Sequence, residues 1–317
     1  MLKATVGRLA EIAGDDEILI VLGRGYMAQA KEIIGDRNIS IIAEPCGRST
    51  AACIGLGALA AVKRGVDEPV AFLPSDHFIK DAAAFCDCLR RAAQVARSGA
   101  IVTLGIKPTR PETGYGYIKA TEPMAGAEEH GALNVNRFHE KPSADLAQRY
   151  ASSGEHYWNG GIFVARPRAI LSEIERCMPE LYSGLVEIER AWGGQDFDKV
   201  TDKVYTSLDA VSFDTGVMEK TVASVALIPC DAGWSDVGSW QAVYELLTPK
   251  HDARGNLARG EAIFVDCDGS FVSSKSGRTI ACLGLKNCLV VDTGEALLVA
   301  DLERADEIRK VAEKIRS

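Results

Sequence analysis

No apolar run in this 317-residue sequence approaches the ~18 residues of a membrane-spanning helix, so no segment reads as a span. The start, MLKATVGRLAEIAG, also lacks a continuous apolar stretch; its spacing predicts an amphipathic helix and no signal peptide. Positive charge is not in excess: 36 Lys and Arg face 44 Asp and Glu, a net charge of −8. That balance argues against a general nucleic-acid binder, yet it leaves room for a local basic pocket for phosphate. Cysteine shows no ligand spacing. The nine cysteines are scattered and odd in number, and Cys86 and Cys88 form C-x-C within a helical pattern rather than a zinc C-x-x-C pair. A reducing, cytoplasmic setting fits such usage. No low-complexity linker interrupts the chain, which predicts that its parts pack together.

What is present is an ordinary globular composition, 47% hydrophobic and 25% charged, long enough for one large or two smaller domains. In the first half EILIVL, ISIIAE, PVAFLPSD and AIVTLGI read as strands, and GYMAQAKEIIG, STAACIGLGALAAVKRG and DAAAFCDCLRRAAQVARSG between them carry helical spacing. Such alternation with continuous apolar strands predicts a parallel sheet covered on both faces. Ligands in such sheets bind beyond the carboxyl ends of strands, which directs attention to AEPCGRST and LPSDH. In the middle, GYGYIKA, LNVNRFHEKPS and NGGIFVARP read as strands of a pocket wall, with helices near 144–152, 167–177 and 180–192. From about Gly255 short strand-like runs separated by turn residues predict a small all-β unit, closed by the helical pattern RADEIRKVAEKI.

Five short stretches carry groups suited to chemistry. In FLPSDHF, Asp76 directly follows an apolar strand, where a crevice begins. It equally suits a helix N-cap, a role open also to Ser75 and Asp81. AEPCGRST offers Glu44, Gly47 and Arg48 at a strand end before an alanine-rich helix whose first amides suit an anion; the alternative is a turn capped by Ser49 or Thr50. In RFHEKPS, Glu140 accepts from hydroxyls and Lys141 supplies a point charge for phosphate, or the two are a surface ion pair. WNGGIF sets Asn159 before a glycine pair that lets backbone approach a ligand. GWSDVGSW places Asp236 between two tryptophans and two glycines, either as a turn former or as a carboxylate aimed at a cation.

Taken in order, EPCGRSTAA, LPSDH, PETGYGYI, FHEKP, WNGGIF, FDTGVMEK and GWSDVGSW resemble the mannose-1-phosphate guanylyltransferase (GDP-mannose pyrophosphorylase) family of sugar-phosphate nucleotidyltransferases. The likeness runs from near residue 2 to the C-terminus. It implies a Rossmann-like α/β nucleotidyltransferase domain with a mainly parallel sheet over 1–250, and a small left-handed β-helix-like domain with a terminal helix over 251–317. The implied reaction transfers GMP from GTP to mannose 1-phosphate, giving GDP-mannose and pyrophosphate. By the same likeness Asp76 and Asp236 hold magnesium, with Trp234 and Trp240 fixing the aim of Asp236, and Lys141 completes the catalytic set at the sugar phosphate. Glu140 and Asn159 contact sugar hydroxyls, Gly116 approaches the sugar, and Glu44, Gly47 and Arg48 lie by the nucleotide. The partners so implied are GTP and mannose 1-phosphate, with no nucleic acid, no membrane, and a homodimer left open.

The text departs from the family pattern at its start. It holds no strand followed by G-G-x-G-x-R-L-x-P-L and P-K-x-F; MLKATVGRL resembles the helix after that loop, roughly forty residues on. The strand so omitted belongs between those matching EILIVL and PVAFLPSD, which predicts poor stability and little activity for these 317 residues alone. Ser49 stands where asparagine is usual, and FDTGV replaces a tyrosine-bearing version. Two other readings therefore stand beside the first: a nucleotidyltransferase for another sugar 1-phosphate, and a truncated, non-catalytic sugar-phosphate-binding subunit.

Overall fold

A computed structural model describes residues 1–316. Contacts divide the chain into two compact units, Met1–Trp234 and Ser235–Ser317, whereas the sequence reading set the division after residue 250. The difference is one helix, Trp240–Leu246: Trp240, Val243 and Tyr244 pack with Leu257, Phe271 and Leu289 of the second unit. No helix among the described residues is long and apolar enough to cross a membrane.

The first unit holds strands β1 (Leu19–Gly23), β2 (Ser40–Glu44), β3 (Val70–Phe72), β4 (Phe78–Ile79) and β5 (Ile101–Ile106). It continues with β6 (Tyr117–Pro123), β7 (Leu133–His139), β8 (His156–Ala165) and β9 (Val225–Pro229); β10 (Trp234–Ser235) marks its end. Helices Met27–Ile34, Ser49–Lys63 and Ala82–Ala96 alternate with the early strands, as their spacing predicts. A six-stranded sheet has the order β3-β8-β5-β9-β7-β6, and β6 also pairs with β8. β5 and β9 are parallel, β8 is antiparallel to β3, β5 and β6, and β7 is antiparallel to β6 and β9. Four strands thus share one direction, while β7 and β8 are reversed.

Both faces of this sheet are covered, because apolar residues on successive positions point to opposite sides. Ile101, Phe163 and Leu227 join the core built with helices Ser49–Lys63 and Pro167–Cys177. Val102, Val164 and Ala226 join the core under helix Ala82–Ala96. The largely apolar run of β5 is explained by this double burial; all six of its residues are buried.

β1 and β2 form a separate parallel pair, in register from Leu19↔Ser40 to Gly23↔Glu44, over a small core of Val6, Ile18, Ile20 and Ile34. β1 pairs with β2 and β3 with β8; the two do not pair with each other. Helix Ser49–Lys63 nonetheless lies against both, since a Cβ on Gly57 would meet Val21 at 3.6 Å and Phe72 at 3.8 Å.

The second unit is a stack of short parallel strands. β11 (Leu257–Arg259), β13 (Phe271–Ser274) and β15 (Cys288–Asp292) pair in parallel, as do β12 (Ala262–Val265) and β14 (Ile280–Leu283). β16 (Leu297–Asp301) turns back antiparallel on β15. Strands pairing in parallel at this short spacing are successive coils of a β-helix. Asp292, only 1% exposed, ties two coils together. Its carboxylate accepts from Ser276, from Arg278 at 3.0 Å, from Ser274 at 3.2 Å and from the Gly294 N–H at 3.0 Å.

The Ser276 hydroxyl, the Gly294 amide and Arg278 hold the Asp292 carboxyl well below the usual carboxylate range. A carboxyl depressed in the folded state contributes stability above its unfolded pKa of about 4, and this is lost as pH falls further. The β-helix unit is therefore expected to melt at lower temperature at pH 3 than at pH 7. Asp292→Asn should lower the pH 7 melting temperature and flatten the pH dependence. Thermal melts of both proteins at the two pH values check this; equal pH slopes would contradict it.

Candidate active site

Strand register builds the centre of the site. Tyr117 pairs with His139 on one side and with Trp158 on the other, so the next position outward on each strand brings together Gly116, Glu140 and Asn159. The Asn159 N–H donates to the Gly116 carbonyl at 2.8 Å. A Cβ at Gly116 would displace Glu140 Oε2 and lie 3.3 Å from Asn159 Cβ. Three residues far apart in the chain thus share one small space.

Lys141 adopts a left-handed backbone (φ 47°), which a non-glycine residue adopts at a cost, and its Nζ lies 3.7 Å from Glu140 Oε1. The Lys141 side chain is 67% exposed, available to an incoming anion. Glu140 is half-buried; burial first, and then the nearby Asp214 carboxylate, push its pKa up. The Glu140 N–H donates to Glu219 Oε1 at 3.0 Å. Asn159 Nδ2 donates to Asp214 Oδ1 at 2.5 Å, and its Oδ1 accepts from the Gly161 N–H at 3.0 Å. Burial raises the Asp214 pKa as well. Asp214 and Glu219 were missed as site residues, although the stretch FDTGVMEK had been singled out. The acids stand on a π-helical turn (Asp214–Met218) and just after it, so nothing in strand periodicity points to them.

Asp76 is exposed beyond the end of β3. The cap of helix Ala82–Ala96 is Asp81, which accepts from the Ala84 N–H at 2.9 Å, so Asp76 does not cap it. Helix Leu2–Arg8 pins the turn around Asp76: Thr5 Oγ1 donates to the Ser75 carbonyl and Arg8 Nη2 to the His77 carbonyl, each at 3.0 Å. Trp234 Nε1 donates to His77 Nδ1 at 3.0 Å, edge-on to that ring. In the second unit Asp236 opens a turn, its Oδ1 accepting from the Gly238 N–H at 3.0 Å, with Val237 left-handed (φ 53°). Trp240 packs edge-on to Phe271 there. Each aspartate offers hard carboxylate oxygens, the donor type that magnesium prefers. Among the described residues no group of three or more His, Cys, Asp or Glu forms a metal cluster of its own.

The stretch at the end of β2 is placed differently from an open anion site. Arg48 donates from Nε to the Tyr205 carbonyl at 2.5 Å and from Nη2 to the Thr206 carbonyl at 2.9 Å, closing the end of helix Phe197–Ser207. The Ala51 N–H donates to the Val211 carbonyl, and neither Ser49 nor Thr50 caps the helix; Thr50 Oγ1 accepts from the Phe213 N–H at 2.8 Å. Glu44 is 7% exposed, and burial pushes its pKa up. Its Oε1 has no hydrogen-bond partner among the described residues. A Cβ on Gly47 would meet open space, with nothing within 4 Å.

Comparison with known proteins agrees with this architecture. The nucleotidyl transferase family model matches residues 1–252, and the MannoseP isomerase/GMP-like beta-helix domain matches 260–315. The chain is 39% identical over its full length to the xanthan biosynthesis protein XanB of Xanthomonas campestris pv. campestris (strain B100), and 36% identical to the mannose-1-phosphate guanylyltransferase of Escherichia coli (strain K12). It spans 66% of the length of each. A crystal structure described as mannose-1-phosphate geranyltransferase from Thermus thermophilus superposes with a TM-score of 0.86 at 31% identity, covering 100% of this chain and 89% of that one. The juxtaposed Gly116, Glu140 and Asn159, on a sheet of this order and followed by a β-helix, thus lie in a chain that belongs to the nucleotidyl transferase family of enzymes, alongside the mannose-1-phosphate guanylyltransferases.

Proposed function

We propose that the chain acts in the transfer of GMP from GTP to mannose 1-phosphate, releasing pyrophosphate. The observation that carries this reading is the convergence of Gly116, Glu140 and Asn159, with Lys141 beside them. Glu140 accepts from sugar hydroxyls, Asn159 donates to them, and the absence of a side chain at Gly116 lets the ring approach. Lys141 attracts the phosphate as a point charge. The sugar phosphate is already an anion, so its attack on the α-phosphorus needs no general base, and holding it in line is the main task of these residues. Asp76 and Asp236 are the carboxylates proposed to hold magnesium, which when bound neutralises charge on the phosphates. Glu44, Gly47 and Arg48 are proposed beside the nucleotide; the buried Glu44 and the clamped Arg48 then act by shaping that loop. The nine free cysteines fit a reducing compartment, the cytoplasm.

Calorimetry with mannose 1-phosphate tests the pocket. Glu140→Gln and Lys141→Ala should each weaken binding by about 1.5–3 kcal/mol, the scale of a hydrogen bond to a charged group. Unchanged affinity in both variants would reject their roles. Pyrophosphate release from GTP with magnesium, compared between mannose 1-phosphate and glucose 1-phosphate, separates this reading from a different sugar specificity and from a chain that only binds.

A further inference from the structure

We propose that Asp214 is a positioning residue that locks the Asn159 side-chain amide in one orientation and so aims its remaining N–H at a hydroxyl of the bound sugar phosphate. The inference rests on the sugar-phosphate reading of this pocket. Its basis is a donor–acceptor argument. The Gly161 N–H can only donate, so the atom facing it at 3.0 Å must be the amide oxygen of Asn159. With the oxygen so fixed, the atom facing Asp214 Oδ1 at 2.5 Å is the amide nitrogen, which donates to it. Flipping the amide would set oxygen against carboxylate and N–H against N–H, two repulsions at once. One Asn159 N–H is left without a hydrogen-bond partner among the described residues, beside Gly116 and Glu140.

The placement of Asp214 is itself determined by packing. It begins the π-helical turn Asp214–Met218, whose preceding residue Phe213 is fully buried and donates its N–H to Thr50 Oγ1. Ser212 holds the turn from the other side, its Oγ accepting from the Thr215 N–H at 3.1 Å. The groups that bear electrostatically on Asp214 are Lys141, Glu219 and, through the shared pocket, Glu140. Asp214 therefore answers to Asn159 for its hydrogen bond and to Lys141 for its charge.

Two measurements on the full chain test this. In calorimetry with mannose 1-phosphate, Asp214→Ala should weaken binding about tenfold, while Asp214→Asn, which keeps an acceptor oxygen, recovers part of the loss. Asn159→Ala should weaken binding too, and adding Asp214→Ala to it should cost no more than about twofold, because a residue acting through another is non-additive with it. In the ligand-free protein the side-chain amide signal of Asn159, seen by nitrogen-15 NMR, should move in Asp214→Ala. A merely structural role would shift melting temperature while leaving the amide signal unmoved and the losses additive. Wild-type affinity in Asp214→Ala, fully additive losses, or an unmoved amide signal would each overturn the proposal alone. Failure of the wild-type chain to bind any sugar 1-phosphate would instead remove the sugar-phosphate reading, and the proposal with it.

Discussion

Gly116→Ala is expected to abolish mannose 1-phosphate binding while the protein stays folded. The added Cβ would overlap Glu140 Oε2 and press on Asn159 Cβ at 3.3 Å. Glu140 is the far end of a side chain and can swing away, so the strands need not separate and the core is untouched. What moves is the carboxylate proposed to accept from the sugar. Losing that acceptor and disturbing the Asn159 donor removes two hydrogen bonds, one of them charged, about 2–4 kcal/mol together and thus on the order of a hundredfold in affinity or more. Bulk in the space meant for the ring adds to the loss. Calorimetry paired with a thermal melt reads both halves of the expectation. Affinity within threefold of wild type would show that the sugar does not lie against Gly116, and a collapse of the melting temperature would show that the glycine is kept for packing.

Asp76→Asn and Asp236→Asn are each expected to lower magnesium-dependent pyrophosphate release by roughly a thousandfold, the scale of ~4 kcal/mol of lost charge stabilisation. Each substitution keeps shape and removes a negative hard-oxygen donor. Manganese binding followed by electron paramagnetic resonance supplies a second readout, and each variant should weaken it. The expected indifference of the fold follows from location: Asp76 is exposed beyond β3, and the Asp236 turn keeps its Gly238 bond with an amide oxygen as acceptor. If either variant kept wild-type turnover and manganese affinity, that aspartate would be a turn former only, the plainer reading open from the sequence.

Much of the local structure was legible because its causes are local. Ile101–Ile106 reads as a buried strand from its largely apolar run, and Cys288–Asp292 and Phe271–Ser274 from short apolar runs set between turn residues. Helices Ser49–Lys63 and Ala82–Ala96 declare themselves by alanine content and spacing. Other elements were not visible. Val225–Pro229 is a central strand of the sheet yet only five residues long, and helix Phe197–Ser207 carries a polar sequence whose packed face shows only once Thr201, Val204 and Tyr205 have a partner.

Sequence alone determined the alternating strands and helices of the first unit and the small β-rich second one, since residue type and spacing record what strands, helices and turns require; residue type pointed to Glu140 and Asn159, and the family resemblance to Gly116. Tertiary structure alone decided strand order, the reversal of β7 and β8, and the register that sets Gly116 between Glu140 and Asn159. It also decided that Asp81 rather than Asp76 caps a helix, that Arg48 closes the end of another, and that Asp214 meets Asn159 across 55 residues of chain. The physical reason is common to all of these. Pairing and hydrogen bonding between distant segments depend on which partner arrives, and the free energy that selects the partner is spread over the whole buried core rather than written at either residue.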